Sequence, residues 1–310
     1  MISKNDLLGA PAKPLARARN ILLDAYFYDI EALSRDELSE LSTASDHEGA
    51  VIVVAPSKHD EGIRHYRNAT EMLKRERDNI RGVAIAGVGS SIVGTAALAR
   101  NVADTYGFDV AGIVSGYGAV DLMTEAMGGW FFYGYLDRLR HYLEILVEKS
   151  PGWFPSEALD DASSALRFGI DPRNKLLPRE LDSGTLLDIL RARPKNLELL
   201  VGHSKGALLI DFVLEQFVEQ MDGRPDPYYD ELHVVTVSAV VGVPRKFKRT
   251  VQIIGELDWF GAMNSLPDLL RSENPEIQPR YVDNACHHLN PGIPYPLALV
   301  EALSAYLPMR

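Results

Sequence analysis

Apolar and polar positions follow two alternating patterns along residues 81–118 and 183–310. Short apolar runs are followed by longer segments in which apolar residues recur at helical spacing. The short runs predict buried strands, and the longer segments predict helices. Strands that alternate with helices in this way are typical of a parallel sheet with helices on its faces. The pattern therefore predicts an α/β fold with a mostly parallel central sheet flanked by helices.

The individual elements follow from the same pattern. Strands are predicted at 50–55, 81–87, 108–116, 197–202, 233–242, 249–258 and 280–286. Helices are predicted at 14–44, 69–79, 95–107, 183–196, 204–221, 264–272 and 294–307. The first is expected to be one helix because its apolar residues keep helical spacing, and the second is expected to be exposed because it is highly charged.

Residues 119–182 interrupt the alternation and look largely helical. Aromatic residues are concentrated between 128 and 155, and two of the chain's three tryptophans, Trp130 and Trp153, lie there. Two interpretations are open for these side chains. They have a binding function, as an apolar acyl-binding wall or as a surface that meets lipid, or they form the small core that a helical insertion of this length needs for its own stability.

One serine stands between two glycines where a predicted strand meets a predicted helix. The sequence there is Gly202-His203-Ser204-Lys205-Gly206. A G-x-S-x-G motif between a strand and a helix is the nucleophile elbow, a turn so tight that the glycines must lack side chains. The free N–H groups and the positive dipole end of the helix then favour an oxyanion beside the serine. Ser204 is the candidate nucleophile, and the alternative is an ordinary loop serine that caps the helix.

A serine nucleophile needs a base, and the base needs an acid that orients it. In a fold with a nucleophile elbow, both follow later strands in the order serine, acid, histidine. The strand at 249–258 ends in Asp258, and the strand at 280–286 leads into His287. With Ser204, these residues give the sequence a resemblance to the α/β-hydrolase superfamily, in its serine esterase and lipase branch.

Neighbouring residues compete for the two supporting roles. Glu256 lies close to Asp258, but Asp258 fits the G-x-x-D spacing of the family that the sequence resembles. His288 follows His287, and adjacent side chains in an extended segment point to opposite sides, so only one of them faces the serine. A run of small residues precedes His287, as is usual before the base in that family, and this favours His287. His203 is expected to pack near the elbow.

The resemblance also implies a division of the chain. Residues 81–118 and 183–310 would form an α/β-hydrolase core, and 119–182 would form a helical cap or lid over the serine. Residues 1–80 are expected to be an extension of helix and strand packed on this core. Two roles are open for this extension, wrapping the core or forming a homodimer.

An oxyanion hole is a further implication of the resemblance. Its donors would be the backbone N–H groups of Lys205, directly after the nucleophile, and of Val88. Val88 lies in the loop that follows an early strand, where the family usually has a His-Gly pair. This sequence departs from the family by having Ala86-Gly87 at that place.

The loop with Gly87-Val88-Gly89 also invites comparison with a dinucleotide-binding loop. The third glycine of that motif would fall at Ile92, and the following strand offers only Ser115 where an acidic residue is needed. The sequence therefore argues against an NAD(P) oxidoreductase, and no cofactor is expected.

A group of histidines and acids has the residue types of a metal site. His47, His59 and His65 occur near Asp60 and Glu61. They straddle a strand end and an exposed loop, so solvation at the surface is the favoured interpretation. No bound metal is expected.

Composition narrows the choice of partners. A formal net charge of −11 argues against nucleic acid and anionic membranes as main partners. The single cysteine, Cys286, excludes an intramolecular disulfide and fits a reducing compartment. The N-terminal residues lack the apolar stretch of a secretory signal, and no run approaches the roughly 18 apolar residues of a membrane span. The expectation is a cytoplasmic protein without stable membrane insertion.

These observations predict a serine hydrolase that cleaves a carboxylic ester through an acyl-enzyme. Its substrate is expected to be a small molecule with an apolar acyl group. The same triad would serve a thioesterase or an acyltransferase, and a non-catalytic binding protein of the hydrolase fold is a further alternative.

Overall fold

The computed structural model describes residues 24–44, 47–59, 61–87, 90–115, 181–274 and 277–309. An eight-stranded sheet runs through these residues. Its strands are β1 (Val51–Val54), β2 (Arg64–Tyr66), β3 (Gly82–Ile85), β4 (Val110–Ile113), β5 (Leu199–His203), β6 (His233–Val237), β7 (Arg249–Gly255) and β8 (Arg280–Val282). The helices are α1 (Arg35–Thr43), α2 (Ala69–Glu76), α3 (Ile92–Tyr106), α4 (Leu181–Ala192), α5 (Lys205–Met221), α6 (Tyr228–Glu231), α7 (Trp259–Met263), α8 (Pro267–Leu270) and α9 (Leu299–Tyr306).

The strands lie in the order β2-β1-β4-β3-β5-β6-β7-β8 across the sheet. From β4 to β8 all neighbours are parallel, whereas β1 is antiparallel to both β2 and β4. The chain passes from β3 to β4 on one side and then to β5 on the other side of β3. This reversal makes the carboxyl ends of β3 and β5 a switch point, where open α/β sheets form their binding crevice. The predicted α/β fold with a mostly parallel sheet flanked by helices is confirmed.

Both faces of the sheet are covered, which explains the continuous apolar runs of the central strands. Because side chains alternate along a strand, each run supplies both faces. In β1, Ile52 and Val54 pack in the layer that contains α3 and α9, and Val51 and Val53 pack in the layer of α2, α4 and α5. The site described below lies at the carboxyl edge of this three-layered structure.

The predicted single helix over 14–44 is wrong in its described part. Residues 24–27 are helical, a 3-10 turn follows at Ile30–Ala32, and α1 begins only after Ser34. Ser34 and Glu37 form a capping box, in which each side chain accepts a hydrogen bond from the backbone N–H of the other. Such a box starts a new helix, so the helical spacing in the sequence is divided between separate elements.

Other element predictions also need correction. The helix predicted at 69–79 is not simply exposed, because Ala69 and Met72 are buried in the core. Strand β2 was not predicted, since it is short and polar. Strand β6 ends at Val237, earlier than predicted, because Ser238 has a positive φ of 57° and turns the chain.

The structure describes part of the segment expected as an extension and two residues of the expected cap. The segment expected as an N-terminal extension, 1–80, is described from residue 24 onward. It contributes β1 and β2 to the central sheet, and Ile30 and Leu33 lie in the core layer that contains α3. The expected cap, 119–182, lies outside the described residues except for 181–182, where α4 begins. The cap therefore stays a prediction.

We expect Leu33→Ala to lower the free energy of unfolding by about 2–5 kcal/mol, because it removes a buried side chain and leaves a cavity. Leu33 is 4 % exposed and packs among core residues of the α3 layer. Val300→Ala is the matched control, since Val300 is 38 % exposed on α9 and should change stability by only about 0.5 kcal/mol. Urea unfolding followed by circular dichroism measures both. Equal small effects would show that residues 24–33 are not part of the core.

Candidate active site

Ser204 lies on the turn between β5 and α5 with φ 54° and ψ −114°. A positive φ is strained for a residue with a side chain, at a cost on the order of 1–3 kcal/mol. The turn is held from both sides, because the Ser204 N–H donates to the carbonyl of Val237 at 2.8 Å and its carbonyl accepts from the N–H of Ala207 at 3.0 Å. This is the backbone geometry of a nucleophile elbow.

The glycines around Ser204 are required by close packing. A Cβ on Gly206 would lie 2.1 Å from the carbonyl oxygen of Ile85, and one on Gly202 would lie 2.6 Å from the backbone of α5. A Cβ on Gly87 would lie 3.3 Å from the Cβ of Ser204. The loop after β3 therefore begins in direct contact with the candidate nucleophile.

Lys205 is the first residue of α5, where backbone N–H groups have no partner within the helix. Its side chain is buried and its Nζ lies 3.2 Å from Oδ2 of the fully buried Asp182, which also accepts from the hydroxyl of Ser115 at 2.9 Å. Since this ion pair occupies the side chain, the backbone N–H is the group of Lys205 left for an oxyanion. Val88, the other expected donor, lies outside the described residues.

Asp258 and His287 form a buried pair. The Nδ1 atom of His287 lies 2.8 Å from Oδ1 and 3.1 Å from Oδ2 of Asp258. A carboxylate accepts, so Nδ1 carries the proton of the neutral ring and Nε2 is left as the basic atom. Burial raises the pKa of Asp258, but the attraction to His287 and hydrogen bonds from Gly261 and Ser238 outweigh it and lower the pKa below its ordinary value. Asp258 is therefore a carboxylate at neutral pH.

Tight backbone contacts bring this pair together. Gly255 ends β7, and a Cβ there would lie 2.2 Å from the carbonyl oxygen of Ala285. The N–H of Leu257 donates to the same carbonyl at 2.9 Å. The loop after β8 thus crosses directly over the end of β7, which places His287 against Asp258.

Glu256 and His288, the alternatives to Asp258 and His287, make hydrogen bonds outside this pair. The Nε2 atom of His288 lies 3.1 Å from the carbonyl oxygen of Pro294. Glu256 accepts from the N–H of Asn284 at 3.1 Å in an exposed position. Of the two adjacent histidines, the first is therefore the one whose ring meets Asp258.

The candidate triad lies at one edge of the sheet, since Ser204 follows β5, Asp258 follows β7 and His287 follows the last strand, β8. The ring of His203, next to Ser204, is 5.1 Å from the ring of His287, and the ring of Phe260 meets that imidazole edge-on at 4.7 Å. Within the described residues no hydrogen bond joins Ser204 to the His287 ring. Such bonds often become short only when a substrate is bound.

A chain of buried hydrogen bonds, not foreseen from the sequence, runs beside the triad. The N–H of Gly87 donates to the hydroxyl of Tyr28 at 2.6 Å, and that hydroxyl lies 2.9 Å from Nδ1 of His203. The Nε2 of His203 lies 3.0 Å from the carbonyl oxygen of His287. Because a carbonyl only accepts, Nε2–H is the donor, and Nδ1 accepts from the Tyr28 hydroxyl. Burial, with a smaller contribution from the His287 ring, lowers the pKa of His203 to about 3, so the ring is neutral.

Asp24 is a second buried group that the sequence analysis missed. Its carboxylate accepts from the Ser91 N–H at 3.1 Å, from the Ser90 hydroxyl at 3.2 Å and from the Ser91 hydroxyl. Ser91 also caps α3, the helix that follows the loop after β3. Burial raises the pKa of Asp24 to about 7 against the effect of these hydrogen bonds. Local sequence carries no signal for this contact, since Asp24 lies 66 positions from Ser90.

The histidines considered as metal ligands do not converge. His47 lies 3.0 Å through its Nε2 from the carbonyl oxygen of Arg67, and it lines a cavity of about 520 Å³ with His65, while His59 does not line that cavity. Asp60 lies outside the described residues. Across the described ranges, no group of three or more His, Cys, Asp or Glu side chains could hold a metal ion.

The helices of the described ranges include none with the length and apolar character of a membrane span.

Comparisons with known proteins leave the site to be interpreted from its geometry. No protein-family model, curated protein or solved structure matches this chain.

We expect Gly206→Ala to lower the free energy of unfolding by more than about 2 kcal/mol, because the added methyl would overlap the carbonyl of Ile85. Gly184→Ala is the matched control. Gly184 lies in α4 with open space around the position of its Cβ, so alanine should be neutral or raise stability by up to about 1 kcal/mol. Thermal unfolding of both variants tests this, and a stable Gly206→Ala protein would contradict the close contact between β3 and α5.

Proposed function

We propose that this protein is a serine hydrolase of the α/β-hydrolase type that cleaves a carboxylic ester through an acyl-enzyme. One observation carries the proposal: the strained Ser204 turn and the buried Asp258–His287 pair stand at the same edge of a mostly parallel sheet. A strained turn persists where the surrounding structure requires it, and such turns cluster at functional sites. A buried carboxylate bonded to one nitrogen of an imidazole is the arrangement that prepares the other nitrogen to act as a base.

In the first half-reaction, the Ser204 hydroxyl attacks the acyl carbonyl carbon while His287 Nε2 takes its proton. Asp258 holds the imidazole in the required tautomer and stabilises the imidazolium that forms. The oxyanion accepts hydrogen bonds from the N–H of Lys205 and, as the resemblance implies, from that of Val88. The intermediate then collapses, and the leaving alcohol takes the proton from His287.

Water completes the cycle on the acyl-enzyme. His287 removes a proton from the water as its oxygen attacks the acyl carbon. When the second tetrahedral intermediate collapses, the His287 imidazolium gives that proton to the Ser204 oxygen. The carboxylic acid leaves and the hydroxyl is restored.

Exposed apolar side chains next to the triad support an apolar acyl group. Leu257, Trp259, Met263 and Leu266 are between 37 % and 49 % exposed and flank or follow Asp258 at the carboxyl edge. Large apolar side chains that remain exposed beside a polar site are typical of a surface that receives a ligand.

We expect purified protein to hydrolyse p-nitrophenyl esters, and Ser204→Ala to lower kcat at least about 10³-fold. The acyl series from acetyl to palmitoyl would give the chain length that the site prefers. Ser304→Ala is the control, because Ser304 is exposed on the outer face of α9 and its hydroxyl donates to the Val300 carbonyl of the same helix. Equal turnover by wild type and Ser204→Ala would overturn the assignment of the nucleophile. No hydrolysis of any ester in the series would overturn the esterase proposal.

We expect Asp258→Asn to lower kcat by roughly 10³–10⁴-fold, because an amide does not hold the His287 tautomer or stabilise its charged form. Glu256→Gln is a matched control, since Glu256 is a neighbouring carboxylate on the exposed side of the same turn. Its kcat should stay within about twofold of wild type. Steady-state kinetics on the preferred ester measure kcat for both variants. A larger loss of kcat in Glu256→Gln than in Asp258→Asn would make Glu256 the acid.

A further inference from the structure

Residues 24–28, here called the clamp segment, contact two of the loops that form the candidate site. Asp24 accepts from Ser90 and Ser91 at one end of the loop after β3, and Tyr28 accepts from Gly87 at its other end. The segment therefore holds both ends of the loop that would carry the second oxyanion donor.

The same segment also holds the loop of the candidate base. The N–H of Leu289 donates to the carbonyl of Phe27 at 2.7 Å, and the side-chain amide of Asn290 donates to the carbonyl of Ala25. The ring of Phe27 stands edge-on to that of His287, with 6.0 Å between the centroids. The clamp segment is thus a bridge between the loops after β3 and β8.

Tyr28 is the point at which these contacts join the nucleophile turn. Its hydroxyl has one proton, which it gives to His203 Nδ1, and it accepts the N–H of Gly87 in return. Its partner His203 directly precedes Ser204, and the Nε2–H of His203 donates to the carbonyl oxygen of His287. That carbonyl oxygen also lies 3.4 Å from the hydroxyl of Ser238. Every donor and acceptor in this chain has a single consistent direction: the His287 carbonyl requires the Nε2–H tautomer of His203, and the Tyr28 hydroxyl donates to the Nδ1 that this tautomer leaves free.

We propose that Tyr28 is a positioning residue, whose hydroxyl sets the relative placement of the loop after β3, the Ser204 turn and the backbone of His287. This inference rests on the proposed ester hydrolysis. A positioning residue of this kind acts on the alignment of reacting groups, and a displacement of about 1 Å can cost about 10²-fold in rate. Its loss should therefore lower kcat and leave substrate binding nearly unchanged.

Tyr28→Phe removes the hydroxyl and keeps the ring. We expect kcat on the preferred p-nitrophenyl ester to fall about 10- to 100-fold, with KM changed by no more than about twofold. Tyr228→Phe is a matched control. Tyr228 is also buried, its hydroxyl donates to the carbonyl of Pro194 at 3.3 Å, and it precedes β6 at the opposite edge of the sheet. Its kcat should remain within about twofold of wild type.

The tautomer of His203 provides a readout that does not depend on turnover. Nitrogen NMR of isotopically labelled histidine should show a neutral Nε2–H ring for His203 in wild type. In Tyr28→Phe the Nε2–H form should persist, because the His287 carbonyl still accepts that proton, while the Nδ1 signal should shift because it has lost its hydrogen-bond donor. An Nδ1 signal identical to that of wild type would show that the Tyr28 hydroxyl does not donate to His203, and it would contradict the positioning role.

The outcomes separate this inference from the proposed function. A full kcat in Tyr28→Phe, an equal loss in Tyr228→Phe, or a wild-type His203 that is charged or carries its proton on Nδ1 would each overturn the positioning role. The charge and tautomer of His203 are measured on the wild-type protein, so this result can overturn the positioning role even if Tyr28→Phe does not fold. If wild type hydrolyses no ester, the proposed function fails, and the placement of the hydrogen-bond chain is still decided by the His203 tautomer.

Discussion

The contact between the start of α5 and the end of β3 fixes the geometry on which the candidate site depends. Gly206 lies so close to the carbonyl of Ile85 that a Cβ would stand 2.1 Å from its oxygen. With α5 held there and Ser204 hydrogen-bonded to β6, the chain has to turn sharply between β5 and α5. The positive φ of Ser204 costs on the order of 1–3 kcal/mol. It persists because the contacts of this turn with β3 and β6 leave no unstrained backbone conformation for Ser204. The loop after β3 then contacts the serine, and the loops after β7 and β8 lie at the same edge of the sheet.

Three buried carboxylates surround this turn, and each is accommodated differently. A buried charge is costly unless it is paired or hydrogen-bonded. Asp182 is paired with the cation of Lys205, and Asp258 accepts a hydrogen bond from the Nδ1–H of His287. Asp24 has only neutral donors, which is why burial raises its pKa to about 7 while that of Asp258 lies below its ordinary value. Only the Asp258 arrangement leaves a nitrogen atom that can gain a proton during a reaction.

The sequence predicts those parts of the site that have a local signal. Ser204 stands out because a strand, two glycines and a helix follow one another within a short segment. Asp258 and His287 can be placed because each follows a strand of the same sheet. Tyr28 and Asp24 have no such signal, since their partners lie 59 or more positions away and the contacts exist only after the sheet has formed. The helix predicted over 14–44 fails for a related reason, because helical spacing does not reveal the interruption between residue 27 and α1.

The clamp segment contacts the loop after β3, which is where the sequence departs from the family that it resembles. Ala86-Gly87 offer no side chain that could anchor this loop by hydrogen bonds, so its anchors have to come from elsewhere in the chain. Tyr28 binds the N–H of Gly87, and Asp24 binds the serines at the other end, where α3 begins. Backbone N–H groups can stabilise an oxyanion only if they are fixed before the reaction, since a donor that must reorganise loses most of its advantage. Under the proposed function, the buried contacts at Gly87 and at Ser90 and Ser91 would serve that requirement without the histidine, and the segment before α1 would then belong to the site.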